Sequence, residues 1–230
     1  MGFLTGNNNS NQPIVYLAVK YQALIQPLSE FIDGCQSIEV NDPTTGQKKI
    51  KYFRKFAGVE GNISKLTWYD TTLSSGKSLR GYRFYLNVDD ADSPTGYTTA
   101  VLDLPFKSVA YNTFSKVAEN IDPTKPITIT VWVNKDQKAV VSFKQNGQAL
   151  KYKYTRENMG ECPEGKYNDV LNTWDFSEQL VFLKNRIDNI VVPRFNSNSE
   201  NYTVDDTGYQ SNPDEEGDTS FPNELLNLEY

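Results

Sequence analysis

The chain has 230 residues, 38% hydrophobic and 13% aromatic, and a net charge of −6, which is typical of one globular domain with appendages. Histidine is absent, which excludes Ser-His-Asp and Cys-His catalysis and the usual zinc sites, and two cysteines are too few for a disulfide framework. No apolar run reaches the ~18 residues of a membrane helix, and the N-terminus lacks the basic start of a secretory signal, so we expect a cytoplasmic protein without membrane contact.

Charge is distributed unevenly along the chain. After Arg194 there is no lysine or arginine, and nine of the 29 acidic residues lie there, so residues 1–194 carry a net charge of +3. Composition predicts a disordered acidic tail over residues 195–230 and a disordered Gly/Asn-rich N-terminus over residues 1–12. One domain, residues 13–194, is expected between them.

The elements predicted in chain order are mostly β-strands. Residues 13–27 are apolar and β-branched, but their structure is undefined by pattern. The turn signal Asp42–Gly46 predicts a hairpin. Then follow strands Ile63–Asp70, Tyr82–Val88 and Tyr97–Leu104, a helix Ser108–Glu119 capped by Ser108, and strands Ile127–Val133 and Ala139–Gln145.

Three strands, a helix and two strands are the order of an OB-fold, a five-stranded Greek-key barrel. The N-terminal hairpin is expected to extend that barrel. An immunoglobulin-like sandwich is the alternative, but it needs ~7 strands and no central helix. Residues 151–176 are predicted to wrap the barrel irregularly, and Ser177–Asn189 to form a C-terminal helix with Ser177 as its N-cap.

The densest functional signal is the strand KKIKYFRKF, residues 48–56, which holds five basic and three aromatic residues. Basic groups bind phosphates, and unpaired bases stack on aromatic rings. Alternation predicts a core face of Ile50, Tyr52 and Phe56, and a solvent face too basic to be buried. The alternative is an edge strand kept soluble by its lysines. The candidate nucleic-acid contacts here are Lys49, Lys51, Phe53, Arg54 and Lys55.

Further basic and aromatic residues follow along the chain. Lys77 and Arg80 lie at the first barrel turn, and Arg83 and Tyr85 are expected on the exposed face of the next strand, where OB-folds bind ligands. A solvated hairpin tip is the alternative. Lys151 and Lys153, in KYKYTR, repeat the pattern and are predicted to line the same groove. Candidate stacking platforms, for which core packing is the alternative, are Trp68, Tyr69, Trp132 and Trp174.

The acidic tail is predicted to have its own role. Tethered to a basic body, it can occupy the DNA-binding groove and be displaced when a strand binds. The freed tail would then dock on partner proteins, and a merely solubilising tail is the alternative. The candidate residues are Asp214, Glu215, Glu216, Asp218, Phe221, Leu228 and Tyr230. Phosphate-cradling glycine loops and G-x-S-x-G motifs are missing, so we expect neither catalysis nor a cofactor.

The rhythm of strands and turns is carried by three stretches: GNISKLTWYDTTLSSGKSLRGYRFYLNV, YTTAVLDLPFKSVAYNTFSKVAENIDPTKPITITVWV and VVSFKQNGQALKYKYTRENM. This rhythm resembles that of the single-stranded DNA-binding proteins of crAss-like, Bacteroidetes-infecting bacteriophages. The likeness covers about residues 45–190. It implies an OB-fold in the host cytoplasm that coats replication and recombination intermediates and self-associates on DNA. It also implies a tail that recruits polymerase, primase, helicase or nuclease.

Two other functions compete with this interpretation. A phage structural or decoration protein would use a β-rich domain with exposed tyrosines for assembly, but it leaves the charge segregation unexplained. A carbohydrate-binding module would stack sugars on Trp and Tyr, but such modules are usually exported. The leading expectation is a sequence-independent binder of single-stranded DNA.

Overall fold

The computed structural model describes residues 14–41, 45–72, 78–88 and 98–196, and it is mainly β. The strands there are β1 Ile14–Lys20, β2 Ala23–Leu28, β3 Gln36–Asn41, β4 Lys48–Phe56, β5 Gly58–Thr72, β6 Ser78–Asn87, β7 Thr99–Pro105, β8 Ile127–Val133, β9 Ala139–Gln145, β10 Gln148–Ala149, β11 Lys166–Asn168 and β12 Thr173–Asp175. The helices are α1 Val109–Val117, α2 Ser177–Arg186 and α3 Val192–Asn196. A 3-10 turn follows α1, and a π-helical turn, Ile187–Val191, joins α2 to α3.

The first ten strands form one mixed sheet, and its central part contains the five predicted strands. Neighbouring strands there are β9-β8-β5-β6-β7, and α1 connects β7 to β8. β5 is antiparallel to β6, with Leu66 opposite Phe84, and to β8, with Gly58 opposite Thr130. The five strands and the helix between the third and fourth are therefore confirmed, and the first strand is longer than predicted.

Two glycines and a bulge allow β5 to pair with both β8 and β6. A Cβ on Gly58 would lie 2.7 Å from the backbone oxygen of Ile129, and a Cβ on Gly61 would lie 2.4 Å from that of Asn87. Both positions therefore exclude a side chain. The pairing of β5 with β6 shifts register between Ile63 and Lys65, and such bulges bend a strand and increase its twist.

Four strands at the N-terminus, β1 to β4, form an arm that extends the sheet beyond β7. β1 runs parallel to β7, with Val15 opposite Ala100, and the order continues through β2 and β4 to β3. The predicted hairpin is confirmed by β3 and β4, which pair with Asn41 opposite Lys48, while residues 42–44 of its turn lie outside the described residues. The arm is larger than the single hairpin predicted.

The hydrophobic core lies between the sheet and α1. Ala110, Phe114 and Val117, the predicted apolar face of the helix, are all buried. The Ser108 hydroxyl accepts a hydrogen bond from the backbone N–H of Tyr111 at 3.1 Å, which confirms Ser108 as the N-cap. α1 therefore packs on the core side of the sheet.

The C-terminal helices are bonded to the sheet from the same side. The Tyr82 hydroxyl donates to Asp188 Oδ1 at 2.6 Å. Burial, followed by this hydrogen bond and the Asp188 charge, raises the pKa of Tyr82. The Asn196 side chain bonds to both backbone groups of Leu66, donating to its oxygen at 3.0 Å and accepting from its nitrogen at 3.1 Å. These bonds pair the backbone N–H and C=O groups of Leu66, which lies beyond the part of β5 that pairs with β8.

Two sequence predictions at the C-terminal side need correction. Ser177 begins α2 but is not its N-cap; Phe176 occupies that position, and the Asp175 carboxylate accepts from the Ser177 N–H at 2.8 Å. The segment 151–176, predicted as irregular, contains the hairpin β11–β12. None of the described helices is long and apolar enough to cross a lipid bilayer.

Candidate nucleic-acid interface

The strand register places many of the candidate residues on one side of the large sheet, opposite the core. Partners in adjacent strands point to the same side, and the pairs Ile25–Lys55, Ala18–Ile25, Tyr16–Val101, Tyr85–Val101 and Lys65–Tyr85 extend this side from β4 to β5. We call it the outer face. Its basic and aromatic residues are Lys49, Lys51, Phe53, Lys55, Tyr16, Lys20, Lys65, Tyr69, Arg83 and Tyr85.

Three of the four lysines of β4, Lys49, Lys51 and Lys55, form the basic part of this face. Lys49 and Lys51 pair with Val40 and Ile38 of β3, and Lys55 pairs with Ile25 of β2, so the predicted alternation is confirmed. Lys49 and Lys55 are exposed and Lys51 is half-buried. Lys49 and Lys51 are therefore two residues apart, ~6.6–6.8 Å along the strand, and Lys55 follows at twice that spacing, beyond Phe53.

The assignment of the two sides of β4 to core and solvent was wrong for two residues. Phe53, expected at the surface, is 7% exposed and packs with Ala23 and Ile25 on the outer face, 5.3 Å from the Tyr21 ring. Ile50, expected in the core, is 55% exposed. Phe53 therefore packs between Lys51 and Lys55 on the outer face and is too buried to stack with a base.

Arg83 and Tyr85 lie on the outer face but are buried, so the prediction that they are exposed was wrong. Arg83 makes a two-pronged ion pair with Asp103 of β7, at 2.6 and 3.0 Å, and its guanidinium lies 5.2 Å from the Tyr69 ring. Burial lowers the pKa of Arg83, but the hydrogen bonds and charge of Asp103 outweigh it and raise the pKa overall. Arg83 therefore positions Tyr69, with its charge already balanced by Asp103.

Three residues missed by sequence reasoning belong to this face, and one of them is Tyr16 of β1, which pairs with Val101 of β7. Lys65 places its Nζ 5.3 Å from the centre of the Tyr85 ring, and Lys20 of β1 pairs with Ala23. The alternation Lys65, Thr67, Tyr69 along β5 could have identified Lys65 as a neighbour of Tyr69. Lys20 could be identified only once β1 was known to be a strand of this sheet.

Three candidates point to the other side of the sheet. Trp68 packs edge-on against Tyr82 and Phe106, at 5.0 and 6.1 Å, and Lys184 Nζ lies 4.2 Å from its ring. Arg80 lies over Phe106, and Arg54 alternates with the outer-face residues of β4. The core alternative is therefore correct for Trp68.

Lys151 and Lys153 do not line the outer face, as the sequence had predicted. The backbone N–H of Lys153 donates to the Lys116 carbonyl of α1 at 2.7 Å, and Asn120 Nδ2 donates to the Lys151 carbonyl at 3.0 Å. Because α1 covers the core side, this segment lies on the opposite side of the sheet from the β4 lysines. Two strongly basic segments are thus separated.

Trp132 is exposed near the turn between β8 and β9, and this turn contacts the arm. Gln22, in the turn between β1 and β2, donates from Nε2 to the Gln137 carbonyl at 2.7 Å. Trp132 alternates with Val131 of the core, so it points outward. Lys77 and the seven tail candidates lie outside the described residues.

Comparisons with known proteins identify no relative: no protein-family model, no curated protein and no solved structure matches the chain. Within the described residues, no three His, Cys, Asp or Glu side chains lie close enough together to hold a metal ion. The function is therefore argued from the outer face itself.

Proposed function

We propose that the protein binds single-stranded DNA without sequence preference, through the outer face. The observation that supports this most strongly is the register. It places the outer-face lysines of β4 and Lys65 on the same side of the sheet as the rings of Tyr16 and Tyr69. This combination of cations and aromatic rings suits a strand whose bases are unpaired.

Each kind of residue has a distinct role in the proposed complex. The lysines contact phosphates and release counterions, so affinity falls steeply with salt. Tyr69, held by Arg83 at 5.2 Å, offers a ring for stacking, which tolerates every base because every base has a π-face. Neither contact reads a base edge, so binding is independent of sequence.

We also propose that β5, β6, β7, β8 and β9 form an OB-fold. Their pairing, with the first strand between the second and the fourth and a helix after the third, supports this assignment. OB-folds bind oligonucleotides on the face of their second and third strands, which here are β6 and β7. On this proposal the arm widens that face and adds the β4 lysines to it.

The acidic tail completes the proposal. With no basic residue after Arg194, it would compete with DNA for the lysines and recruit replication proteins to coated DNA. Removing residues 197–230 should tighten DNA binding at low salt, whereas a cut before Asn196 would break its bonds to Leu66. Unchanged affinity would remove the competition from the proposal.

The experiment that tests the function is anisotropy of a labelled oligo-dT strand and of a duplex of equal length, at two salt concentrations. With four lysines on phosphates, the single-strand affinity should fall about fiftyfold between 50 and 200 mM salt. Equal binding of the duplex would contradict single-strand binding. No binding to either would favour the alternative, a structural or decoration protein of a phage particle.

A further inference from the structure

Trp132 is a large exposed ring that the contacts proposed above do not include. Its side chain is 45% exposed, near the end of β8. Val131, the residue before it, belongs to the core, so Trp132 points to the opposite side of the strand. A single exposed aromatic residue is ordinary, so the neighbours of Trp132 decide whether it has a role.

The register of β8 extends the outer face as far as Trp132. Thr130, two residues earlier, lies opposite Gly58 of β5. Gly58 precedes Val59, which packs against the core, so Gly58 and Thr130 lie on the side away from the core. Trp132 is the next residue of β8 on that side, and its partner in β9, Val140, lies there too. The indole ring therefore lies on the same side of the sheet as the outer-face lysines of β4.

The same register places Trp132 beside the end of β4. β4 ends at Phe56, and after a bend of one residue β5 begins at Gly58. Because β8 is antiparallel to β5 and Thr130 is level with Gly58, Trp132 is level with the end of β4, where Lys55 is the last outer-face residue. Lys55 is exposed and takes part in none of the ion pairs among the described residues. A cation and an exposed ring therefore lie side by side.

The turn between β1 and β2 lies against the turn that follows Trp132. Gln22 Nε2 donates to the Gln137 carbonyl at 2.7 Å, and β2 approaches β8 at this point. Tyr21, next to Gln22, is 39% exposed, and its ring centre lies 5.3 Å from that of Phe53 on the outer face. A second exposed ring therefore lies where β2 and β8 meet. We give one name, the seam group, to Tyr21, Lys55 and Trp132.

The charges around the seam group favour an anionic ligand. The described lysines on this part of the outer face and in the turn between β8 and β9 are Lys20, Lys55, Lys135, Lys138 and Lys144. The described carboxylates there are Asp136, in the same turn, and Glu60, which accepts a hydrogen bond from the Thr128 hydroxyl at 2.5 Å. Lysines therefore outnumber carboxylates, and basic groups beside exposed rings are typical of surfaces that bind single-stranded nucleic acid.

We propose that the seam group binds one nucleotide of the single strand, with its unpaired base stacked on Trp132 and its phosphate on Lys55. This inference rests on the proposed function and extends the contact surface from β4 onto β8. Tyr21 offers a second ring to the same nucleotide or to the next one. Stacking uses the face of the base and leaves its hydrogen-bonding edge unread, so the seam group accepts every base.

Anisotropy titrations of oligo-dT and of an abasic strand of equal length test this proposal. Trp132→Ala should weaken oligo-dT binding about tenfold, within the range for the loss of one stacked base, with an unchanged salt slope because no charge is lost. Trp132→Ala and the wild type should bind the abasic strand equally, because it has no base to stack. Trp174→Ala, the matched control, removes a 44% exposed ring from the separate hairpin β11–β12 and should bind oligo-dT like the wild type.

Fluorescence gives a second readout: oligo-dT should quench the emission of Trp174→Phe, and adding Trp132→Phe should remove that quenching. If the wild type binds oligo-dT but Trp132→Ala binds it equally well, or the quenching is absent, the seam group is overturned and the proposed function stands. An equal loss on the abasic strand would also overturn it, because Trp132 would then act on the structure of the face. No oligo-dT binding by the wild type would overturn the proposed function itself. Far-UV circular dichroism verifies folding, and Trp132→Leu replaces a Trp132→Ala that fails to fold.

Discussion

Basic and aromatic residues alternate in two segments, Lys48–Phe56 and Lys151–Arg156, which lie in different surroundings. The first is β4, paired with β2 and β3, so its lysines join a face that continues across the sheet. The second lies against α1: the Lys153 N–H donates to the Lys116 carbonyl at 2.7 Å, and the Tyr154 hydroxyl donates to Glu119 at 2.7 Å. We call the second segment, Lys151–Arg156, the helix-bound segment. Alternation of basic and aromatic residues therefore forms an extended surface only where neighbouring strands continue it.

Charge reversal should give the largest difference in oligo-dT affinity between the two segments. Lys51→Glu/Lys55→Glu should weaken oligo-dT binding roughly hundredfold at low salt, because two phosphate contacts become repulsive, and should reduce the magnitude of the salt slope by about 1.4. Lys151→Glu/Lys153→Glu changes net charge equally and should weaken binding less than about threefold. Anisotropy titrations measure both, and equal losses would mean that only overall charge matters.

Truncation of one ring in each segment should separate their contributions to stability. Phe53→Ala removes a buried ring from the small cluster with Ala23 and Ile25 and should lower the free energy of unfolding by about 3 kcal/mol, the low end for a buried phenylalanine. Tyr152→Ala removes an exposed ring and should cost about 0.5 kcal/mol. Urea unfolding measures both values, and a Phe53→Ala cost as small as that of Tyr152→Ala would contradict the burial of Phe53.

The central strands and α1 could be predicted because their signals are local. Apolar alternation marks each strand, and Ser108 marks the start of the helix. β1 and β2 lacked such a signal, because their turn places Tyr21 and Gln22 at left-handed φ values of 50° and 58°, where Asn-Gly is the usual sequence. The extent of the arm was therefore not readable from sequence.

The candidate site was predictable in its residue types but not in its exposure. Alternation gave the correct shared side for the β4 lysines, because a strand has a period of two residues. Arg83 is buried because Asp103 lies opposite it in β7, and that pairing depends on register. Ile50 lies on the side of the sheet that faces the core elsewhere, but Ile50 itself is exposed. Its exposure depends on how far the arm extends.

Removal of a tyrosine from each region tests base stacking. Tyr69→Ala should weaken oligo-dT binding by about 1–2 kcal/mol, the contribution of a single stacked base, with an unchanged salt slope because no charge is lost. Tyr152→Ala, in the helix-bound segment, should bind like the wild type. Equal affinity of Tyr69→Ala and the wild type would place the bases elsewhere on the outer face.

Acidification tests what holds the helix-bound segment in place. Glu119 accepts two hydrogen bonds from Arg186, at 2.9 and 2.7 Å, and one from Tyr154. The bonds from Arg186 lower the pKa of Glu119 against the opposing effect of burial. Burial, followed by the hydrogen bond to the Glu119 carboxylate, raises the pKa of Tyr154 to about 12. A carboxylate whose pKa is lower in the folded chain stabilises the fold at pH values above its pKa in the unfolded chain. It loses that contribution as the pH falls through its pKa in the folded chain.

Glu119→Gln should therefore lower the free energy of unfolding by about 1 kcal/mol at pH 7, the scale of a partly exposed ion pair. Below about pH 4.5 the difference from the wild type should shrink, because the unfolded wild-type chain takes up a proton on Glu119 there, whereas the folded chain does so only at its lowered pKa. Urea unfolding from pH 7 to pH 3 measures this, with the exposed Glu164→Gln as control. If the difference in unfolding free energy stays constant with pH, Glu119 acts by packing alone. If the difference shrinks at low pH and Glu119→Gln binds oligo-dT like the wild type, the helix-bound segment stabilises the fold and takes no part in binding.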